Sequence, residues 1–124
     1  MNIFRKIKAS LRYKEAVRKA EKAHTETGER YYVLPMGNES KLMIMDRKNF
    51  RKLKFKGYMS RGLHITNLEK ECFYCTSYRN GNDRLPNDIV ALKRNQYYNW
   101  VEATIKARNF RNRKRNDKEK NNEK

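Results

Sequence analysis

The sequence predicts an α+β fold: a small antiparallel sheet of about three strands flanked by two long helices and a short basic helix, followed by a disordered C-terminal tail. Both ends of the chain carry apolar residues at the three- and four-residue spacing of helices. The middle holds short aromatic and β-branched segments separated by turn residues. With 124 residues, we expect one domain over residues 1–110 and a polar tail over residues 111–124, which contains no apolar residue.

The first predicted helix covers residues 3–27, and Gly28 is a suitable residue to end it. Phe4, Ile7 and Leu11 fall on one stripe, which is expected to face the core. The stripe continues, with a small drift, through Tyr13, Val17, Ala20 and His24. The other faces are rich in Lys and Arg, and basic amphipathic helices can lie on anionic membranes. The apolar stripe is modest, and Tyr13, Ala16, Val17 and Ala20 are suited to packing in a core, so we do not expect a membrane-surface role.

A β-hairpin is predicted next. Residues 31–36 combine aromatic and β-branched side chains, and residues 41–45 form a second apolar segment. Residues 37–40 between them are Gly, Asn, Glu and Ser, which are typical of turns. Pro35 cannot donate a backbone hydrogen bond, so it belongs at an edge or at the end of its strand.

A short, strongly basic helix is predicted over residues 47–56. Asp46 is a suitable N-cap, Gly57 a suitable end, and Phe50, Leu53 and Phe55 are its candidate apolar contacts. Like charges at this density weaken an isolated helix, and no acid lies among them. This helix is the first candidate surface for nucleic acid, and the solvated face of an inert helix is the alternative. Its candidate residues are Arg47, Lys48, Arg51, Lys52, Lys54 and Lys56.

The third strand is predicted at residues 72–77, after a short helical turn that begins at a capping box of Thr66 and Glu69. A short helix running to Cys75 is the alternative. A loop then leads to Pro86, which opens the last helix, predicted over residues 87–109. Its apolar stripe consists of Ile89, Leu92, Tyr97, Trp100, Val101 and Ile105.

The net charge of +17, from 31 Lys and Arg against 14 Asp and Glu, is the strongest indication of function. Such an excess destabilises the compact chain by self-repulsion, which a negatively charged partner would relieve. We therefore expect a polyanion partner, most simply DNA or RNA bound with weak sequence preference. General solubility is the alternative. The tail adds a second candidate contact, comprising Arg108, Arg111, Arg113, Lys114 and Arg115, unless it is only a solubilising segment.

Cys72 and Cys75 are too few for a disulfide scaffold. A zinc site normally needs four ligands, and His64 is the nearest candidate to join the two cysteines. A redox dithiol would normally open a helix, whereas this pair lies among aromatic residues. We favour packed thiols, with zinc and redox chemistry as alternatives. Four tyrosines on or beside predicted strands could stack on bases, although core packing is the more common role: Tyr31, Tyr32, Tyr74 and Tyr78.

The chain has none of the usual signatures of an enzyme. It contains no Gly-rich phosphate loop and no dinucleotide fingerprint, and its two histidines are far apart. We expect no catalysis and no cofactor. No apolar run approaches the roughly 20 residues of a membrane span, and the first residues do not form a signal peptide. A cytoplasmic location is therefore expected.

Two runs, residues 44–53 (IMDRKNFRKL) and residues 68–75 (LEKECFYC), resemble small, uncharacterised basic proteins of gut Bacteroidota and of their crAss-like phages. The resemblance covers most of residues 3–110. It implies no established activity or site residues, and it raises a role in a phage or mobile element, in the bacterial host cytosol or in the virion. The alternative to nucleic-acid binding is thus a phage virion or accessory structural protein, or an adaptor that binds an acidic protein surface.

Overall fold

The structure is a computed structural model that describes residues 2–36, 41–57, 64–78 and 81–122. It confirms the α+β class, with an antiparallel sheet of three strands among helices. The elements in chain order are α1 (Ile3–Thr27), β1 (Tyr31–Met36), β2 (Lys41–Asp46), α2 (Arg47–Phe55), α3 (Ile65–Glu71), β3 (Tyr74–Cys75) and α4 (Asn87–Asn122).

The sheet has the strand order β2-β1-β3, and both pairings are antiparallel. The β1–β2 pairing confirms the predicted hairpin strands, while the predicted turn at 37–40 lies outside the described residues. β3 is only two residues long, shorter than the predicted 72–77, although the amides of Phe73 and Thr76 also donate to β1 carbonyls, at 2.9 and 3.0 Å. The alternative helix to Cys75 is wrong, because α3 ends at Glu71.

Strand β1 is the centre of the fold because both of its faces are buried. Val33 packs in a cluster with side chains of α1 and α4, whereas Tyr32 and Leu34 pack in a second cluster with side chains of α2 and α3. The alternation follows from the two-residue period of a strand. The result is three layers, with α1 and α4 on one face of the sheet and α2 and α3 on the other.

Helix α1 has the predicted bounds, and Tyr13, Ala16 and Ala20 are buried as predicted, but the apolar residues of its first two turns are not. Its N-cap is Asn2, and Gly28 ends it in the left-handed conformation at φ 76°. Phe4, Ile7 and Leu11 were expected in the core and are 80%, 52% and 62% exposed. The small alanine side chains allow the helix to lie close to the sheet on another face, which explains the difference. The buried stripe consists of Ala9, Tyr13, Ala16 and Ala20.

Helix α2 is capped as predicted, since Oδ1 of Asp46 accepts a hydrogen bond from the amide of Asn49 at 3.0 Å. Phe50 is buried, but Phe55 is 93% exposed, so the expectation that it packs is wrong. Helix α3 begins two residues before the predicted capping box. The side chain of Asn67 accepts from the amide of His64 at 2.9 Å, which makes His64 the N-cap in place of Thr66.

Helix α4 is longer than predicted. It begins after Pro86 and continues past Asn109 to Asn122, through the segment expected to be a disordered tail. No Gly or Pro follows Pro86, and Lys, Arg and Glu favour helix, which accounts for the continuation. Tyr97 and Val101 are buried as predicted, whereas Leu92 is 54% exposed. Every side chain of residues 106–118 is exposed, so this part of α4 buries no side chain in the core.

Candidate nucleic-acid interface

The α2 basic surface consists of the cations of the predicted basic helix. Five of the six are exposed on a helix that contains no acid: Arg47, Lys48, Arg51, Lys52 and Lys56. The sixth, Lys54, is half-buried, and its ammonium lies 5.8 Å from the centre of the Phe50 ring. This surface is the outer, convex face of a helix that buries only Phe50. It can contact a polyanion from outside but cannot enclose one.

The α4 extension, residues 110–122 of α4, carries the cations that the sequence assigned to a tail. Its basic side chains up to residue 118 are exposed: Arg111, Arg113, Lys114, Arg115 and Lys118. The Lys114 ammonium lies 4.9 Å from the centre of the Phe110 ring, and Nε of Arg111 donates to the carbonyl of Ala107 at 3.4 Å. A helix holds these charges at fixed spacing, which a disordered tail would not do.

A groove between α1 and α4 brings together cations from distant parts of the chain. The two helices run antiparallel, as the stacking of Tyr13 on Tyr97 at 5.4 Å and the packing of Ala9 with Val101 indicate. The cavity in the groove has a volume of about 180 Å³. It is lined by Arg5, Lys8, Ala9, Arg12, Val101, Ile105, Arg108 and Asn109. We call it the α1–α4 groove.

Sequence reasoning found only Arg108 of this groove. Arg5, Lys8 and Arg12 were treated as the general basic faces of α1, although their spacing of three and four residues places them on one face. That spacing was the available signal, but the partner helix could not be known from it. The α2 basic surface lies on the opposite face of the sheet, so the structure does not bring the two predicted sets into one surface.

The two cysteines lie in a buried polar cluster that the sequence did not predict. The Arg30 guanidinium donates to Sγ of Cys75 at 3.0 Å and lies 4.4 Å from the centre of the Tyr78 ring. It is also 3.8 Å from the carboxylate of Glu69, which accepts hydrogen bonds from the hydroxyls of Tyr32 and Tyr78. Arg30 is thus held by charge and by aromatic contact inside the domain.

Lys93 of α4 is the second buried cation of this cluster. Its ammonium donates to the carbonyls of Glu69 at 2.8 Å and Cys72 at 3.1 Å, and it lies 3.6 Å from Sγ of Cys72. These carbonyls belong to the last turn of α3 and its C-cap, where backbone acceptors have no partner within the helix. Lys93 therefore connects the C-terminal end of α3 to α4 by hydrogen bonds.

The pKa values of the two cysteines are shifted in opposite directions. A hydrogen bond from Cys72 lowers the pKa of Cys75 to about 6, with help from Arg30 and against the effect of burial. The same hydrogen bond, together with burial, raises the pKa of Cys72. The two shifts make Cys75, rather than Cys72, the thiol that ionises first.

This arrangement does not resemble a zinc site. His64 is exposed at the start of α3 and Cys72 lies just past its end, so about 10 Å of helix separate them. Two buried cations beside the sulfurs would repel a metal ion. In the described ranges, no group of three or more His, Cys, Asp and Glu residues could hold a metal. The cysteine pair also follows the C-terminus of α3, where the helix dipole does not favour a thiolate. The lowered pKa of Cys75 is therefore due to Cys72 and Arg30 and not to the helix.

The tyrosines considered for base stacking serve mainly in packing. Tyr32 is fully buried, and the hydroxyl of Tyr74 donates to the carboxylate of Glu21 on α1. Tyr31 and Tyr78 are half-buried, and Tyr78 covers Arg30. No open aromatic platform is present on the described part of the sheet.

Comparison with protein-family models, with curated proteins and with solved structures finds no match to this chain. Within the described residues, no helix is both long enough and apolar enough to cross a membrane. The chain's exposed helical surfaces are rich in Lys and Arg.

Proposed function

We propose that the protein binds nucleic acid, DNA or RNA, through contacts to phosphates, without catalysis and with weak sequence preference. The observation that carries the proposal is the placement of the charge. Five of the six cations of α2, and those of the α4 extension up to residue 118, are exposed to solvent. Lys and Arg in this setting neutralise phosphates and release condensed counterions.

The helical structure of the α4 extension also supports the proposal. The side chains of the α4 extension up to residue 118 are exposed and bury nothing against the domain. A helix of this composition repels itself, and contact with a polyanion would relieve that repulsion. Backbone contacts position a protein without specifying sequence, hence the weak preference.

The test is a fluorescence-anisotropy titration with labelled single-stranded DNA, duplex DNA and RNA of equal length at low salt. Saturable binding of at least one ligand is expected, and the order of affinities names the preferred class. The absence of binding to all three would contradict the proposal. The alternative, a phage virion or accessory protein or an adaptor on an acidic protein surface, would then be tested by pulling down the protein's partner.

A further inference from the structure

We infer that the α1–α4 groove is the site that holds the phosphate groups of the bound nucleic-acid strand. The inference rests on the proposed function and adds the site to it. The groove draws on residues that lie about a hundred positions apart in the chain, Arg5, Lys8 and Arg12 from α1 and Arg108 from α4. It is therefore a property of the fold and not of one basic segment.

The four cations of the groove have no acidic neighbour in its lining. The remaining lining residues are Ala9, Val101, Ile105 and Asn109, none of them charged. Within the described part of the chain, none of the four cations forms an ion pair. Elsewhere on α1 the opposite holds, since Arg18 pairs with Glu15 at 2.6 Å. The groove thus keeps its positive charge available.

Concave walls make these charges more effective than those of α2. An apolar floor of Ala9, Val101 and Ile105 lowers the local dielectric, which strengthens both the repulsion among the cations and their attraction for an anion. Three of the four are arginines, whose planar guanidinium can hold a phosphate by two hydrogen bonds. A phosphodiester in the groove would relieve the repulsion directly.

A buried donor lies beside the groove. The Tyr97 hydroxyl is buried and has no hydrogen-bond partner among the described residues. Burial raises the pKa of Tyr97, and the nearby charge of Arg12 acts in the opposite direction. Tyr97 precedes the lining residue Val101 by one turn of α4 but does not itself line the groove. Because this hydroxyl is enclosed, the four cations and not Tyr97 supply the contacts to an anion.

The α4 extension continues the groove. Val101, Arg108 and Arg115 are seven residues apart, about two helical turns, so they share one face of α4. Arg111 lies between the last two of these on the same side. Because α1 and α4 are antiparallel, the extension projects beyond the N-terminus of α1. A strand that leaves the groove would therefore follow a row of arginines.

The experiment compares two matched triple variants. The groove variant is Arg5→Gln, Lys8→Gln and Arg12→Gln, and the control is Arg47→Gln, Lys48→Gln and Arg51→Gln on α2. Each set removes two arginines and one lysine from one helix, so the loss of net charge is equal. Binding is measured by anisotropy on the preferred oligonucleotide at several salt concentrations, and circular dichroism verifies the fold. A fourth protein, Arg108→Glu, tests the α4 side of the groove independently.

The groove variant should lose at least about tenfold more affinity than the control, and its salt slope should fall by about two to three, one phosphate contact for each lost cation. Arg108→Glu should also weaken binding. Equal losses in the two triple variants would overturn the inference while leaving the proposed function intact. No binding by the wild type would overturn both. Because Phe4, Ile7 and Leu11 are exposed near the groove, anionic phospholipid vesicles form a further arm. If the groove variant lost only vesicle binding, the groove would belong to lipid phosphate and the inference would be wrong.

Discussion

The Arg30 guanidinium lies 3.0 Å from Sγ of Cys75, and the two residues are only 8% and 2% exposed. Lys93 lies 3.6 Å from Sγ of Cys72, so two buried cations flank the cysteine pair. The carboxylate of Glu69, whose side chain is 34% exposed, lies 3.8 Å from the Arg30 guanidinium. A hydrogen bond from Cys72 and these cations, Arg30 above all, favour the thiolate form of Cys75 and lower its pKa.

This cluster predicts a pH dependence of stability. The pKa of Cys75 lies at about 6 in the folded protein, below its ordinary value of 9.0, because Cys72 and Arg30 stabilise the thiolate. Ionised Cys75 stabilises the folded protein. This contribution to the free energy of unfolding is complete above pH 9 and is lost as the pH falls toward about 6. Between those limits the free energy of unfolding, measured by urea denaturation, should rise with pH by more than about 1 kcal/mol.

Cys75→Ser should lack this rise, because a serine does not ionise in the range. The comparison is made below pH 9, since the raised pKa of Cys72 reverses the sign above it. Arg30→Gln should move the appearance of thiolate absorbance in the ultraviolet to higher pH. If the wild type and Cys75→Ser had the same pH profile, Cys75 would be an ordinary thiol.

Lys93→Met should be strongly destabilising although it replaces one long side chain with another. It leaves the carbonyls of Glu69 and Cys72 without their buried donor. A charge-assisted hydrogen bond contributes about 1.5–3 kcal/mol, so a loss of this order in the free energy of unfolding is expected. Lys106→Met, at an exposed position of the same helix, is the control and should change stability by less than about 0.5 kcal/mol. Equal effects would contradict the buried role of Lys93.

Tyr13→Phe and Tyr97→Phe should have different effects on the free energy of unfolding. The Tyr13 hydroxyl donates to the carbonyl of Phe73 at 2.8 Å, and burial raises the pKa of Tyr13 to about 12. Tyr13→Phe should cost about 1–2 kcal/mol, because it leaves a buried acceptor unpaired. Tyr97→Phe removes a hydroxyl that has no partner in the described structure, so it should be neutral or stabilising. Thermal denaturation of both variants checks this, and a larger loss for Tyr97→Phe would contradict it.

Asp46 should be required to begin α2. Asp46→Ala removes the acceptor for the amide of Asn49 and should cost about 1 kcal/mol. Asp46→Asn retains a capping oxygen and should cost less. Chemical denaturation ranks the three proteins, and a cost for Asp46→Asn as large as that for Asp46→Ala would show that the negative charge, rather than the cap, matters.

Truncation after Asn109 should separate stability from binding. The side chains it removes are exposed up to residue 118, so the midpoint of thermal unfolding should not change. Nucleic-acid affinity should fall, because the cations of the α4 extension are lost while the α1–α4 groove remains. A marked loss of thermal stability would mean that the extension packs on the domain.

Local signals in the sequence were sufficient for most of the secondary structure. Gly28, Asp46 and Pro86 mark real helix boundaries, because caps and fixed backbone angles act over a few residues. The prediction that Phe4, Ile7 and Leu11 face the core was wrong, because a periodic apolar pattern does not determine which face of a helix packs against the rest of the domain. The alanine stripe of α1 carries less hydrophobicity and packs more closely.

The candidate site was less predictable than the fold. Runs of Lys and Arg identified α2 and the α4 extension, since charge density is a local property. The groove depends on how α1 meets α4, and the environment of Cys75 depends on Arg30, 45 positions away. Such long-range contacts cannot be obtained from residue spacing in one sequence.

The most direct test of the account is the salt dependence of wild-type binding to its preferred oligonucleotide. Anisotropy titrations over a series of salt concentrations give the slope of the logarithm of affinity against the logarithm of salt. A slope of about −4 or steeper is predicted, which corresponds to at least about four neutralised phosphates. A slope near zero, or no binding at low salt, would contradict phosphate-driven nucleic-acid binding.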